Sequence, residues 1–543
     1  MSAEEITVYT AAKIHTMNEG APTATALAER DGRILEVGHL DQMQPWLEAN
    51  PHRIDDRFAD KIFMPGFIDP HLHPTLAAVL LPSEFITAME WKLPWGTSEP
   101  VRGQKAYLSR LREIHHGMED PNAPLLSWGY HRIWHGRLDR AMLDEFAPDR
   151  PVLVWQRSFH EIYLNSAALR WLDVDEEEAG RHHQIDIEQG RFYEMGKFTL
   201  YEKINPFLLQ DERFRGGLER LKQVVRLGGH TTIGDMGIGM YDLEKEWQHL
   251  TDVLDQDDVP FRVAMVPAVR LGGTAEAEMD RLEGMRAMAR GRLGFNDHIK
   301  MFADGGFFAE LMQVLPPGFI DGHEGEWMTS PEQLTELCRA AWHRGMKIHI
   351  HCTGDLGVEL ALDILEQLQF EKPRFDHRFT LEHFGLANPE QCRRIAVLGA
   401  QVSANPYYVH ELGEAYWTHS IGMERASQMV RLGSLGRHNV PFALHSDLTM
   451  APALPLNNAW VAVNRIGESG AIIGPDERVS VAQAMRAITI DAAYIIGMEN
   501  DVGSLRAGKK ADITVLGQDP FEVDPMALKD IPVEGVIFEG KVF

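Results

Sequence analysis

Two histidines separated by one residue, His71 and His73 in Gly66-Phe67-Ile68-Asp69-Pro70-His71-Leu72-His73, have the spacing in this chain that most directly suggests chemistry. Side chains on a strand alternate with period two, so the pair shares a face and both imidazoles can converge on one cation. Alone the pattern is weak, because the chain holds 25 histidines and His349-Ile350-His351 repeats it. Weight comes from further donors at the ends of strand-like runs. His351 closes one run, His383 follows the next in Leu381-Glu382-His383, and Asp447 follows the last in His445-Ser446-Asp447. Imidazoles with one carboxylate form a ligand set for zinc and similar divalent ions. Lys300, flanked by apolar residues in His298-Ile299-Lys300-Met301-Phe302, leaves two readings open. A buried neutral amine can take up carbon dioxide as an anionic carbamate; an ammonium would instead pair with Asp304 or Asp235.

The elements that must position these groups are eight short apolar runs: Ile62 to Ile68, Thr231 to Asp235, Phe261 to Val266, His298 to Ala303, Lys347 to Cys352, Arg378 to Glu382, Gln401 to Ala404 and Pro441 to Leu444. After residue 220 they alternate with helix-like segments. That pattern predicts an α/β fold of the (β/α)8, TIM-barrel type, in which functional groups gather at the C-terminal ends of strands. The interval from residue 74 to residue 230 is too long for one βα connection, so an inserted subdomain is expected at about 80–225 after the first barrel strand. Short strand signals recur at both ends of the chain, over residues 1–64 and 500–543, and predict one discontinuous β-sandwich flanking a barrel domain over 65–499.

Composition sets outer bounds. With 44% hydrophobic and 24% charged residues the chain reads as globular. Its net charge of −27 argues against a nucleic-acid partner. The three cysteines show no paired spacing and point to a reducing, cytoplasmic setting. Met1-Ser2-Ala3-Glu4-Glu5 lacks the basic and apolar regions of a signal peptide, and no apolar run suits a membrane span. A small molecule is the expected partner, with self-association left open.

Longer segments carry a resemblance: Met64 to His73, Asp149-Arg150-Pro151-Val152 through Asn165-Ser166-Ala167-Ala168-Leu169, Lys300 to Gly306, His351 to Asp355, Leu381-Glu382-His383, and Val502 to Asp512. In these the chain resembles the amidohydrolase superfamily, and within it the YtcJ-like branch that includes N-substituted formamide deformylases. The resemblance implies two divalent metal ions, zinc first with Mn2+, Fe2+ and Ni2+ as substitutes. His71, His73 and Asp447 would hold one ion, His351 and His383 the other, and a carbamylated Lys300 would bridge both. The activity implied is hydrolysis of an amide-type C–N bond, N-acyl or N-formyl, by a hydroxide held between the ions, with Asp447 passing the proton to the leaving nitrogen. Ring deaminases of this superfamily resemble one another in a His-x-x-Glu, and Gly354 stands where that glutamate would be. Two other readings use the same residues: hydrolysis of a carbamate, cyclic amide or ester, and metal binding without turnover. The chain departs from the pattern at His445, where glycine is usual, and at Cys352-Thr353. For contacts with substrate, Tyr130, Trp134, His160, Asp304, Asn405 and Tyr407 are the candidates, while His230 and His445 read as supporting residues.

Overall fold

The computed structural model describes residues 5–543; the acidic start read above for a leader lies, but for Glu5, outside the described residues. Eight parallel strands carry the centre of the molecule: β1 (Phe67–Leu72), β2 (His230–Ile238), β3 (Arg262–Pro267), β4 (His298–Phe302), β5 (Lys347–Cys352), β6 (Thr380–His383), β7 (Gln401–Ala404) and β8 (Phe442–Leu444). They form two runs of neighbours, β1 to β3 with a short extra strand Leu293–Phe295 beyond β3, and β4 to β8. Hydrogen bonds cross both gaps between the runs. Ala268, just past β3, bridges to Lys300 of β4, with Val269 N donating to Lys300 O at 2.9 Å. On the other side Asp447 N, beyond β8, donates to His71 O of β1 at 2.9 Å.

These strands are buried on both faces, as their nearly continuous apolar runs require once helices cover the outside. The covering helices show their start and stop signals. Pro331–His343 begins with Ser330 accepting from Gln333 N, has Pro331 in the first turn, and buries Leu334, Leu337, Cys338 and Ala341 on one stripe. Pro389–Leu398 begins with a reciprocal cap between Asn388 and Gln391 and stops at Gly399, whose φ of +71° suits a residue without Cβ.

Both ends of the chain meet in one eight-stranded sheet. Its order runs Lys541–Val542, Val533–Phe538, Ile513–Leu516, Ile62–Pro65, Ile6–His15, Thr23–Arg30, Arg33–Gly38, and His52–Asp55 pairs alongside Ile6–His15. Arg262 at the start of β3 ties this sheet to the parallel strands through Asp512 and Glu539. The expected single strand from Ile62 to Ile68 is two strands: Ile62–Pro65 belongs to the terminal sheet and β1 to the parallel set. The break falls at Gly66, where a Cβ would stand 2.0 Å from Thr231 Oγ1, so the chain crosses between sheets where no side chain fits.

Between β1 and β2 the chain builds a separate six-stranded sheet from strands within residues 84–193, ordered Ile185–Asp186, Arg191–Tyr193, Glu161–Leu164, Val152–Gln156, Leu125–Tyr130 and Glu84–Phe85. Among the described residues no helix is long and apolar enough to cross a membrane. Cys338, Cys352 and Cys392 are buried free thiols.

Candidate metal centre

The C-terminal ends of β1, β4, β5, β6 and β8 bring His71, His73, Lys300, His351, His383 and Asp447 together. Asp447 sits centrally: its carboxylate oxygens lie 3.2 Å from His73 Nε2, 3.7 Å from His71 Nε2 and 3.6 Å from His383 Nδ1. These separations are loose for hydrogen bonds but suit a shared ion, since donors about 2.1 Å from a tetrahedral cation stand about 3.4 Å apart. The His351 and His383 rings are 4.3 Å apart between centroids.

The polar atoms of this cluster lack partners. His71 Nε2, His351 Nε2, both nitrogens of His383 and Lys300 Nζ are buried without a hydrogen bond. Five such donors in one place would be costly unless something else satisfies them. Burial and the neighbouring charge of Lys300 hold His71 well below the ordinary imidazole range, which keeps the neutral form that ligates. Burial likewise lowers the Lys300 amine. Lys300 forms no ion pair with either aspartate suggested for it. The Asp304 carboxylate accepts instead from Thr353 N and Gly354 N at 2.8 Å and from Gln313 N at 2.9 Å.

Glu382, which the sequence reading passed over, organises the cluster from behind. It is fully buried and accepts from His71 Nδ1 and His349 Nδ1, each at 2.6 Å. With the Nδ1 of His71 committed, its Nε2 lone pair faces Asp447. His349 spends its other nitrogen on His298 Nδ1 at 2.7 Å, so the second His-x-His pair offers only His351 to the cluster. Strand alternation would send Glu382 and His383 to opposite faces; a φ of +72° at His383 turns the chain so that both serve the same site.

The cluster opens on a pocket of about 80 Å³ that Lys300, His351, His383 and Asp447 share with His160, Lys197, Asp235 and Tyr241. His160 arrives from the insertion, its Nδ1 2.8 Å from Glu194 Oε2. Gly306 makes room for it, because a Cβ there would meet the ring at 2.5 Å. Lys197 donates to Phe159 O at 3.0 Å, and burial lowers its amine to about 8. Asp235 has one oxygen without a partner, and burial together with the charge of Glu246 raises its carboxyl well above the usual range, favouring the neutral acid. Lys197 and Glu194 carry no spacing signal in the sequence; burial and proximity alone single them out.

Of the residues expected to touch substrate, His160 alone lines this pocket. Tyr130 borders a separate cleft of about 750 Å³, its hydroxyl donating to Gly136 O at 2.6 Å, and Trp134 borders a different depression. Asn405 bonds Ser446 O at 3.2 Å and Tyr407 N at 3.0 Å, and the Tyr407 hydroxyl accepts from Asn457 at 3.3 Å. Those bonds, with the three to Asp304, hold loops at the strand ends, so these residues shape the site without facing it. Arg157, also missed, has the same office. Buried 4.8 Å from the centroid of Trp128, it pairs with Glu411 and donates to Thr449 O and Met450 O in the segment that follows Asp447. His230 is structural, bonded to Val225 O at 2.9 Å. His445 bonds Ser403 Oγ at 2.7 Å and leaves Nε2 free beside His71 and His383, a third imidazole where glycine was the expected residue.

The chain is 23% identical to the putative amidohydrolase YtcJ of Bacillus subtilis, over 97% of each chain. It is 24% identical to an N-substituted formamide deformylase of Arthrobacter pascens, covering 97% of this chain and 96% of that one. Its fold matches an uncharacterized metal-dependent hydrolase from Pyrococcus horikoshii with a TM-score of 0.73 at 20% identity, across 96% of this chain and 99% of the other. Residues 59–543 match the amidohydrolase family throughout, and the chain belongs to that family.

Proposed function

We propose that this protein is a metal-dependent hydrolase that cleaves an amide-type C–N bond, N-acyl or N-formyl, in a small molecule. The observation that carries the reading is the ring of unpartnered, buried donor atoms around Asp447. In this proposal the eight parallel strands close into a (β/α)8 barrel, a reading supported by the hydrogen bonds that cross both gaps between the strand runs. His71, His73 and Asp447 would hold one divalent ion, His351 and His383 a second, and a carbamate formed on the Lys300 amine would serve both. Carbamate formation joins carbon dioxide to the neutral amine and releases one proton, which suits an amine lowered by burial. Such ions, zinc first among them, supply a Lewis acid and acidify water toward neutral pH.

The chain's own groups supply the rest. Asp447 accepts a proton from the attacking water and returns it to the departing nitrogen, two transfers that its place among the histidines allows. Lys197, in the same pocket, provides a hydrogen-bond donor toward the carbonyl of a bound amide, while His160, its Nδ1 committed to Glu194, offers Nε2 as an acceptor beside His351. Glu382 keeps His71 in one tautomer throughout. The formamide deformylase relative supports a C–N bond as the target.

Metal analysis of the purified protein should give about two divalent ions per chain, as a paired-ion site requires. Lys300→Ala should lose much of that metal, and Asp447→Asn should lower kcat by roughly 10²- to 10⁴-fold on an N-formyl or N-acyl amide. An active preparation free of divalent metal would overturn the proposal.

A further inference from the structure

The pocket beside Lys300 is small. At about 30 Å³ per water-sized group it has room for roughly three non-hydrogen atoms, enough for the reacting amide and little else. The remainder of any substrate must continue elsewhere, and one wall shows where. Phe198, Met240, Phe302 and Met328 line this pocket and also a second cavity of about 280 Å³. The far side of that cavity is made by Val269, Met301 and Leu337, all buried. Its rim is Met195 and Leu271, the latter 36% exposed, so the cavity has an outlet toward solvent.

Two features make the shared wall a passage. Met240 and Met328 are unbranched and change rotamer at little cost, so the partition can part without disturbing the strands behind it. The four shared residues carry no charge, and the one charged residue elsewhere on the cavity lining, Arg270, commits its guanidinium to Gly239 O at 2.7 Å.

We propose that this methionine-walled cavity is a subsite for a hydrocarbon chain of roughly nine non-hydrogen atoms, carried by the substrate next to the scissile amide. The inference rests on the hydrolase reading for its link to turnover but makes a separate claim about binding, so two experiments keep them apart.

In the first, kcat/KM is measured for linear N-acyl amides from acetyl to decanoyl. It should rise about 3- to 4-fold per methylene and level off once the cavity is full. Leu337→Trp, and independently Met195→Trp at the rim, should cut the decanoyl-to-acetyl ratio at least tenfold, with thermal melting used to confirm that each variant folds. In the second, calorimetric binding of 1-octanol to the unreacted protein should be detectable in the natural chain and lost in both tryptophan variants. If no amide is turned over, the hydrolase reading fails while octanol binding still decides the subsite. A kcat/KM independent of chain length, or octanol bound equally by the filled variants, would overturn the subsite.

Discussion

A partner on one imidazole nitrogen fixes the tautomer and the direction of the other, and Glu382 is that partner for two rings, His71 and His349. Replacing it by glutamine leaves the size and shape of the group and removes the charge that orients both rings. Glu382→Gln should therefore weaken metal affinity by about 10- to 100-fold, measured by competition with a chelator, while circular dichroism stays unchanged. An affinity equal to that of the natural chain would mean that the rings are held by packing alone. At this scale the sequence was legible where residue type and spacing coincide. His71, His73, His351, His383 and Asp447 all fall at strand ends, and all meet. It was silent on Glu382, Lys197 and Glu194, whose types are common on any surface and whose importance lies in their burial. Asp304, Asn405 and Tyr407 form hydrogen bonds at the strand ends and do not line the pocket, a distinction the sequence does not carry: a polar residue near a strand end looks the same whether it faces a ligand or bonds the backbone of the next loop.

Two adjacent glycines in the helix Asp211–Leu227 show how finely the supporting elements are fitted. A Cβ on Gly217 would lie 1.9 Å from Ala78 O, in the helix Pro74–Leu80 that leads away from His73, whereas one on Gly216 would meet nothing within 4 Å. Gly217→Val should force the two helices apart and cost about 1–3 kcal/mol or more, and Gly216→Ala should add about 0.5–1 kcal/mol through helix propensity alone. Denaturant unfolding of both variants checks the opposed signs; two changes of the same sign would refute this account of the contact. The parallel strands were legible because each is a short apolar run bounded by turn residues. What an apolar run does not reveal is the sheet it joins. Ile62 to Ile68 reads as continuous, and only the closeness of Thr231 to Gly66 divides it. The three-residue strand Leu293–Phe295 is too short to show any period.

For the whole molecule, burial of uncharged histidines makes stability depend on acid. The His230 imidazole is held by burial at about 4 against an ordinary value of 6.5, and His131 at about 3. The unfolded chain takes up these protons near pH 6.5 and the folded chain only below about 4, so stability is fully present above 6.5 and is lost as pH falls between those values. His230→Leu removes one such group. The stability lost between pH 7 and pH 5 should be about 2 kcal/mol smaller in that variant, read from denaturant midpoints, and an unchanged difference would exclude His230 as a contributor. The large-scale plan was legible at its ends, where strand signals recur, but the pairing of Ile62–Pro65 with Ile513–Leu516 depends on contacts some 450 residues apart that no local pattern encodes. That pairing bears on synthesis. At 5–20 residues per second the ribosome needs roughly 20–90 s to travel from one partner strand to the other, and through that interval Ile62–Pro65 presents an unpaired edge. The nascent chain thus carries an adhesive border until its last segment emerges, which makes this edge the place where a chaperone would be needed and where crowded expression would drive misassembly between chains.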